Sequence, residues 1–185
     1  MEGDLAGSKP YYFGFTGMIE PLSVTKICGA LNTAFNDGAT EIHLALNSSG
    51  GLISDGIYLY NHIRALPTKV IIYNTGTVAS IATVIYVAAS VRYCSRHSVF
   101  MIHPTALQQL LDVGAEKLGG FHRSTLADDE RINAILRERT RLSDELLSTR
   151  RYSDVWITQR DAVEQGIAHE LREFSVPQGF QVFQI

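Results

Sequence analysis

The sequence predicts an α/β fold made of consecutive parallel βαβ units. Two observations carry the prediction. Short apolar runs bounded by turn residues alternate along the chain with segments whose apolar residues recur every three or four positions. That alternation favours a parallel sheet with right-handed crossovers over two segregated layers.

Taken in order, residues 1–10 are polar, contain Gly3, Gly7, Ser8 and Pro10, and read as a loose tail. Tyr11-Tyr-Phe-Gly-Phe15 is a first strand, broken by Gly17. Val24, Ile27, Cys28, Leu31, Ala34 and Phe35 mark an amphipathic helix, entered after Pro21 and ended at Asp37-Gly38. Glu41–Asn47 is a second strand, followed by the turn Asn47-Ser-Ser-Gly-Gly51 and a helix from about Ser54 to Ala65. After Pro67 comes the strand Val70–Tyr73, then a small-residue turn from Thr75 to Ser80, then an apolar helix reaching Ala89. Short strands at Val91–Cys94 and Val99–His103 continue the sheet. Beyond Pro104 the texture changes. Residues 115–151 are rich in charge, with Ile132, Ile135, Leu136, Leu142, Leu146 and Leu147 forming one stripe along a long helix. Its charges form a solvated face, and its apolar stripe also suits packing against another subunit. A short helix near Thr158–Gln165 and a strand at Ile167–Glu173 close the chain.

Composition narrows the function. The 185 residues suffice for one domain with a substantial core. Hydrophobic residues make up 45% and charged residues 19%, and the formal net charge is −3, a surface that does not attract nucleic acid or anionic membranes. Cys28 and Cys94 form no C-x-x-C pair and read as reduced core thiols. The N-terminus lacks the basic and apolar regions of a signal peptide, and the run Val78–Val91 is too short to span a bilayer, so a cytoplasmic protein is expected. Neither a cofactor nor a metal is called for.

The candidate chemistry sits after strand ends, where open α/β sheets gather functional groups. Ser80 stands where a strand turns into a helix. There its hydroxyl is lifted clear of the sheet and the unpaired N–H groups of the first helical turn face the same space. A serine at a helix start is more often only an N-cap, and the nucleophile-elbow pattern is matched loosely, with Ala82 at its second Gly. His103 ends the apolar segment Phe100-Met-Ile-His-Pro104, and imidazole is the side chain that exchanges protons near neutral pH. The Gly50-Gly51 turn suits a backbone N–H aimed at a ligand. A carboxylate is needed to orient the imidazole. Asp154 is one candidate, and Asp112, Asp128, Asp129, Asp144 and Asp161 compete with it.

Taken together, Asn47–Gly51, Gly76–Ser80, Met101–Pro104 and Asp154 twelve residues before Gly166 in Ala162-Val-Glu-Gln-Gly166 resemble the proteolytic subunit of the Clp protease. The resemblance runs over roughly residues 12–173. It implies Ser80 as nucleophile, His103 as base, Asp154 as orienting acid, and the backbone N–H groups of Gly51 and Ile81 as oxyanion donors. The spacings of 23 and 51 residues from Ser80 to His103 and from His103 to Asp154 are similar to the family's. The implied fold is a crotonase-like repeated βαβ spiral, here one domain over 1–185, with a protruding helical handle at about 105–151. The implied activity is an ATP-dependent serine endopeptidase acting on peptides or unfolded proteins inside stacked homo-oligomeric rings.

Four departures accompany the resemblance. Ser49 replaces the Pro of the family's Ser-Pro-Gly-Gly, and Ala82 replaces a Gly. Thr105–Val113 stands where the family has a Gly-rich substrate-binding strand, and Leu118-Gly-Gly-Phe121 comes later. Sixteen residues precede Gly17, fewer than the family's pore-loop segment, which leaves docking of a Clp-type ATPase open and admits an ATPase-independent ring. Three other readings compete: a crotonase-superfamily acyl-CoA enzyme, an inert scaffold subunit, and a Ser-Lys dyad using Lys69 or Lys117.

Overall fold

A computed structural model describes residues 9–106 and 114–185. Its first half is the expected alternation. Strand β1 (Pro10–Thr16) leads to α1 (Pro21–Asn36), which starts with Pro at its first position and with the Glu20 N–H donating to Ser23 Oγ at 3.0 Å. Strand β2 (Glu41–Ser48) buries every second side chain: Ile42, Leu44, Leu46 and Ser48. Helix α2 (Ile53–Ala65) then returns the chain to β3 (Lys69–Ala79). β1, β2 and β3 pair in parallel, as right-handed crossovers require.

β3 differs from the expectation in a way that builds the site. No turn follows Tyr73; the strand runs eleven residues to Ala79. It changes neighbours midway, pairing with β4 (Val91–Cys94) through Ile71–Asn74 and with β5 (Val99–Ile102) through Thr77–Ala79. Two asparagines hold the crossover point. Asn74, fully buried, accepts the Gly76 N–H and donates to the Val99 carbonyl, while Asn47 Oδ1 accepts the Thr77 N–H at 3.0 Å. A Cβ on Gly76 would lie 2.9 Å from that Asn47 oxygen, which is why a glycine stands there. Side-chain amides thus replace ladder bonds that the change of partner removes.

Helix α3 (Ile81–Val87) is buried on all sides, as its uniformly apolar sequence demands, but stops two residues before Ala89. The charged region is two helices rather than one. Helix α4 (Ala115–Arg139) ends at Thr140, whose hydroxyl turns back to the Leu136 carbonyl at 2.6 Å, and Ser143 caps α5 (Asp144–Thr149) by accepting the Leu146 N–H. Strand β6 (Val155–Thr158), not anticipated from sequence, pairs antiparallel with β5. Helix α6 (Gln159–Glu164) follows. The anticipated strand 167–173 is only β7 (Glu170–Leu171), and β8 (Val182–Gln184) adds a further short strand beside β1.

The core forms where α1, α2 and α3 cover the sheet, with Leu31, Ile72 and Ile85 fully buried. Leu136 seats the C-terminal end of α4 on this core and is also fully buried. Leu136→Ala is expected to lower unfolding free energy by about 2–5 kcal/mol in denaturant titration, the range for a large apolar side chain lost from a packed site. Cys28 and Cys94 are buried free thiols. Burial pushes the Cys94 thiol up to about 11, so it stays protonated at neutral pH and offers no competing nucleophile.

Candidate active site

Ser80 occupies the residue between β3 and α3, and its backbone is bent as few residues are. Its φ of 57° and ψ of −131° make it the one non-glycine residue with positive φ among those described. Such a conformation costs on the order of 1–3 kcal/mol and persists only where the surroundings impose it. Here the Ser80 N–H donates to the Met101 carbonyl at 2.7 Å, and its carbonyl accepts the Thr83 N–H at 3.0 Å. Although Ser80 sits at the N-cap position, its hydroxyl makes no capping bond. It lies instead 2.7 Å from His103 Nε2. With the ring proton on Nδ1, the hydroxyl donates to Nε2, the arrangement in which an imidazole accepts the proton of an attacking oxygen.

The Gly50-Gly51 turn is packed against this serine. Gly50 has φ of 101°, and a Cβ on it would fall 2.6 Å from Ser80 Cβ. At Gly51 a Cβ would come within 2.0 Å of the Ile19 carbonyl oxygen, so both positions exclude a side chain on space alone. The turn is sewn to the segment after β1: the Ile19 N–H donates to the Gly50 carbonyl, and the Leu52 N–H donates to the Ile19 carbonyl. These bonds leave the Gly51 N–H unused. The Ile81 N–H, in the first turn of α3, is likewise without a hydrogen bond among the described residues.

Both residues line a cavity of about 450 Å³ that also holds Ser80 and His103. Its walls are mixed: Met18, Leu52 and Ile132 give apolar surface, while Ser124, Asp128 and Arg131 add polar and charged groups. The lysines considered for a dyad are elsewhere. Lys69 is paired with Glu41 at 2.6 Å, and Lys117 lies over the Phe121 ring. Among the described residues no cluster of His, Cys, Asp or Glu has the arrangement of a metal site, and no helix is long and apolar enough to cross a membrane.

Of the candidate carboxylates, Asp128 pairs with Arg131, Asp129 with Arg150, Asp144 with Arg137, and Asp161 bonds the Thr158 hydroxyl at the start of α6. Asp112 falls outside the described residues. Asp154 is exposed and makes no hydrogen bond to His103. Its backbone position is nonetheless specific. The antiparallel ladder ends with Ile102 opposite Val155, so His103 and Asp154 are the residues that immediately adjoin its last pair on the two segments.

The family model described as Clp protease matches residues 15–174. The chain belongs to the Clp protease family. That membership places its activity with the peptidases and its α/β architecture with the fold of the Clp proteolytic subunits. It is 26% identical over 168 residues to the ATP-dependent Clp protease proteolytic subunit 2 of Pseudomonas aeruginosa, covering 88% of this chain and 83% of that protein. It is 28% identical over 163 residues to subunit 1 of Streptomyces avermitilis, covering 84% of this chain and 72% of that one. Among solved structures, a mutant ClpP1 from Listeria monocytogenes superposes with a TM-score of 0.77 at 25% identity, covering 88% of this chain and 91% of the other.

Proposed function

We propose that this Clp-family chain is a serine endopeptidase in which Ser80, His103 and Asp154 act together on a peptide held in the cavity. The 2.7 Å contact between Ser80 Oγ and His103 Nε2 at a strained strand-to-helix turn carries the reading. In the reaction Ser80 Oγ attacks the scissile carbonyl while its proton passes to Nε2. The oxyanion is received by the N–H groups of Gly51 and Ile81. Collapse breaks the C–N bond, and the proton on Nε2 goes to the departing amine. A water then repeats the sequence on the acyl-enzyme, releasing the acid and restoring Ser80. Asp154, turned toward the ring, holds the Nδ1 proton and balances the imidazolium.

The handle and the exposed apolar residues support assembly into rings of identical subunits. Leu22, Tyr58, Tyr152 and Trp156 are at least 60% exposed, and the last two flank Asp154 in sequence. Contact between subunits over β6 is therefore one means of turning that carboxylate inward. The named relatives are ATP-dependent Clp subunits, which makes an ATPase the natural partner to test.

The experiment is labelling with a fluorophosphonate probe, followed by mapping of the modified residue. The reading expects stoichiometric modification of Ser80 and loss of peptide hydrolysis in step with it. An assembled protein that hydrolyses no peptide and leaves Ser80 unmodified would favour the inert-scaffold reading. Adding a Clp-type ATPase with ATP to a folded substrate distinguishes an ATP-driven enzyme from an independent peptidase.

A further inference from the structure

A buried ion pair outside the Ser80–His103–Asp154 set ties the two segments that carry His103 and Asp154. Asp129, on α4, is 8% exposed; Arg150, just after α5, is 2% exposed, and its Nη2 lies 3.0 Å from Asp129 Oδ1. The other arm of the guanidinium, Nη1, donates to Asn133 Oδ1 at 2.9 Å. The same Asp129 oxygen also accepts two bonds from Thr105, from its N–H at 2.9 Å and from its hydroxyl at 2.8 Å. Thr105 stands two residues after His103, and Arg150 four residues before Asp154.

We propose that Asp129 is a positioning residue: by binding Thr105 and Arg150 at one oxygen, it fixes the chain on which His103 hangs and the chain that delivers Asp154. Its effect on hydrolysis rests on the peptidase reading, whereas its effect on the placement of His103 does not.

Beyond Ile102 the paired part of the β5–β6 ladder ends, so the ladder itself does not hold His103. Pro104 has no N–H to donate, so the Thr105 N–H is the first main-chain donor after His103. It goes to Asp129. Arg150 needs a counter-charge as well. Burial lowers its pKa and the facing carboxylate opposes that shift, so removing Asp129 leaves a buried cation without a counter-charge. Both consequences act on the same two segments. Asp129 thereby joins the seat of α4 to the segments that carry His103 and Asp154, so that a shift of the helix is transmitted to both.

Three variants test this in the full-length assembled protein. Asp129→Ala removes the common acceptor, Thr105→Val removes only the hydroxyl bond, and Thr105→Ser keeps both donors. Asp129→Ala is expected to slow fluorophosphonate labelling of Ser80 and kcat by about tenfold to a hundredfold, with KM within about twofold of wild type, since small displacements of a positioned group cost rates of that order. Thr105→Val loses part of this and Thr105→Ser recovers it. The imidazole ¹⁵N resonances of His103, which need no turnover, shift or broaden in Asp129→Ala and Thr105→Val.

Unchanged His103 resonances in both variants, with only the melting temperature lowered, would overturn the proposal; so would a rise in KM at constant kcat. If Asp129→Ala does not fold, Thr105→Val against Thr105→Ser decides. A wild-type protein that resists the probe would defeat the peptidase reading, and the His103 resonances alone would then settle the positioning role.

Discussion

Ser80→Ala is expected to abolish peptide hydrolysis, lowering kcat by about 10⁵- to 10⁶-fold, the scale on which a nucleophilic serine acts as one unit with its base. The remaining turnover comes from the oxyanion donors and binding. The backbone gives this prediction a second arm. Ser80 holds φ at 57°, a conformation open to glycine and costly for any residue with a Cβ. Ser80→Gly is therefore expected to be as inactive as Ser80→Ala yet more stable than the wild type, by about 1 kcal/mol in thermal or denaturant unfolding. An enzyme that gains stability when its nucleophile is removed is one in which the strain serves the placement of the hydroxyl. A Ser80→Ala protein that retains wild-type hydrolysis of a fluorogenic peptide would sink the assignment.

Asp154→Asn is expected to lower kcat by about 10³- to 10⁴-fold while leaving KM and assembly intact, because an amide opposite the imidazole favours the wrong tautomer. Asp154 is exposed and makes no hydrogen bond to His103, although the two residues adjoin the last pair of the β5–β6 ladder. If Asp154 acts by turning inward, the loss is large and confined to kcat. If instead it stays on the surface, the substitution is neutral within experimental error. Steady-state kinetics with a fluorogenic peptide separate the two, and Asp144→Asn, a change in an exposed carboxylate paired with Arg137 away from the cavity, serves as the control.

Much of this architecture was legible in the residues because local pattern and tertiary role coincide in the first half of the chain. Alternation in Glu41–Asn47 and three-to-four spacing from Val24 to Phe35 follow directly from burying one face of a strand or a helix. The same logic failed for Thr75–Ala79. Its small polar residues read as a turn, but the ladder continues because Asn47 and Asn74, distant in sequence, supply the missing bonds. Strand β6 was missed for a related reason. Val155–Thr158 is short and has neither strong alternation nor flanking turn signals, and β5 recruits it by pairing. The break at Thr140 also depends on a side chain turning back on the helix rather than on a Gly or Pro.

The site divides along the same line. Ser80, where a strand gives way to a helix, and His103, at the end of an apolar segment, were candidates that gained weight only together, and they lie within hydrogen-bond distance. Asp154 could be chosen among six carboxylates only through the family resemblance, since composition does not rank them. Asp129 was counted as a competitor for the orienting role. The structure gives it Arg150 and Thr105 as partners instead. No spacing rule would have found that set, because its members come from a loop, a helix and a helix end.

The most direct measurement is a crystal structure of the assembled protein carrying a phosphonate on Ser80, a mimic of the tetrahedral intermediate. The account predicts the phosphonyl oxygen within hydrogen-bond distance of the Gly51 and Ile81 N–H groups, His103 Nε2 retained beside Ser80 Oγ, and the Asp154 carboxylate on His103 Nδ1. An adduct whose oxygen points away from both N–H groups, with Asp154 still facing solvent, would contradict it.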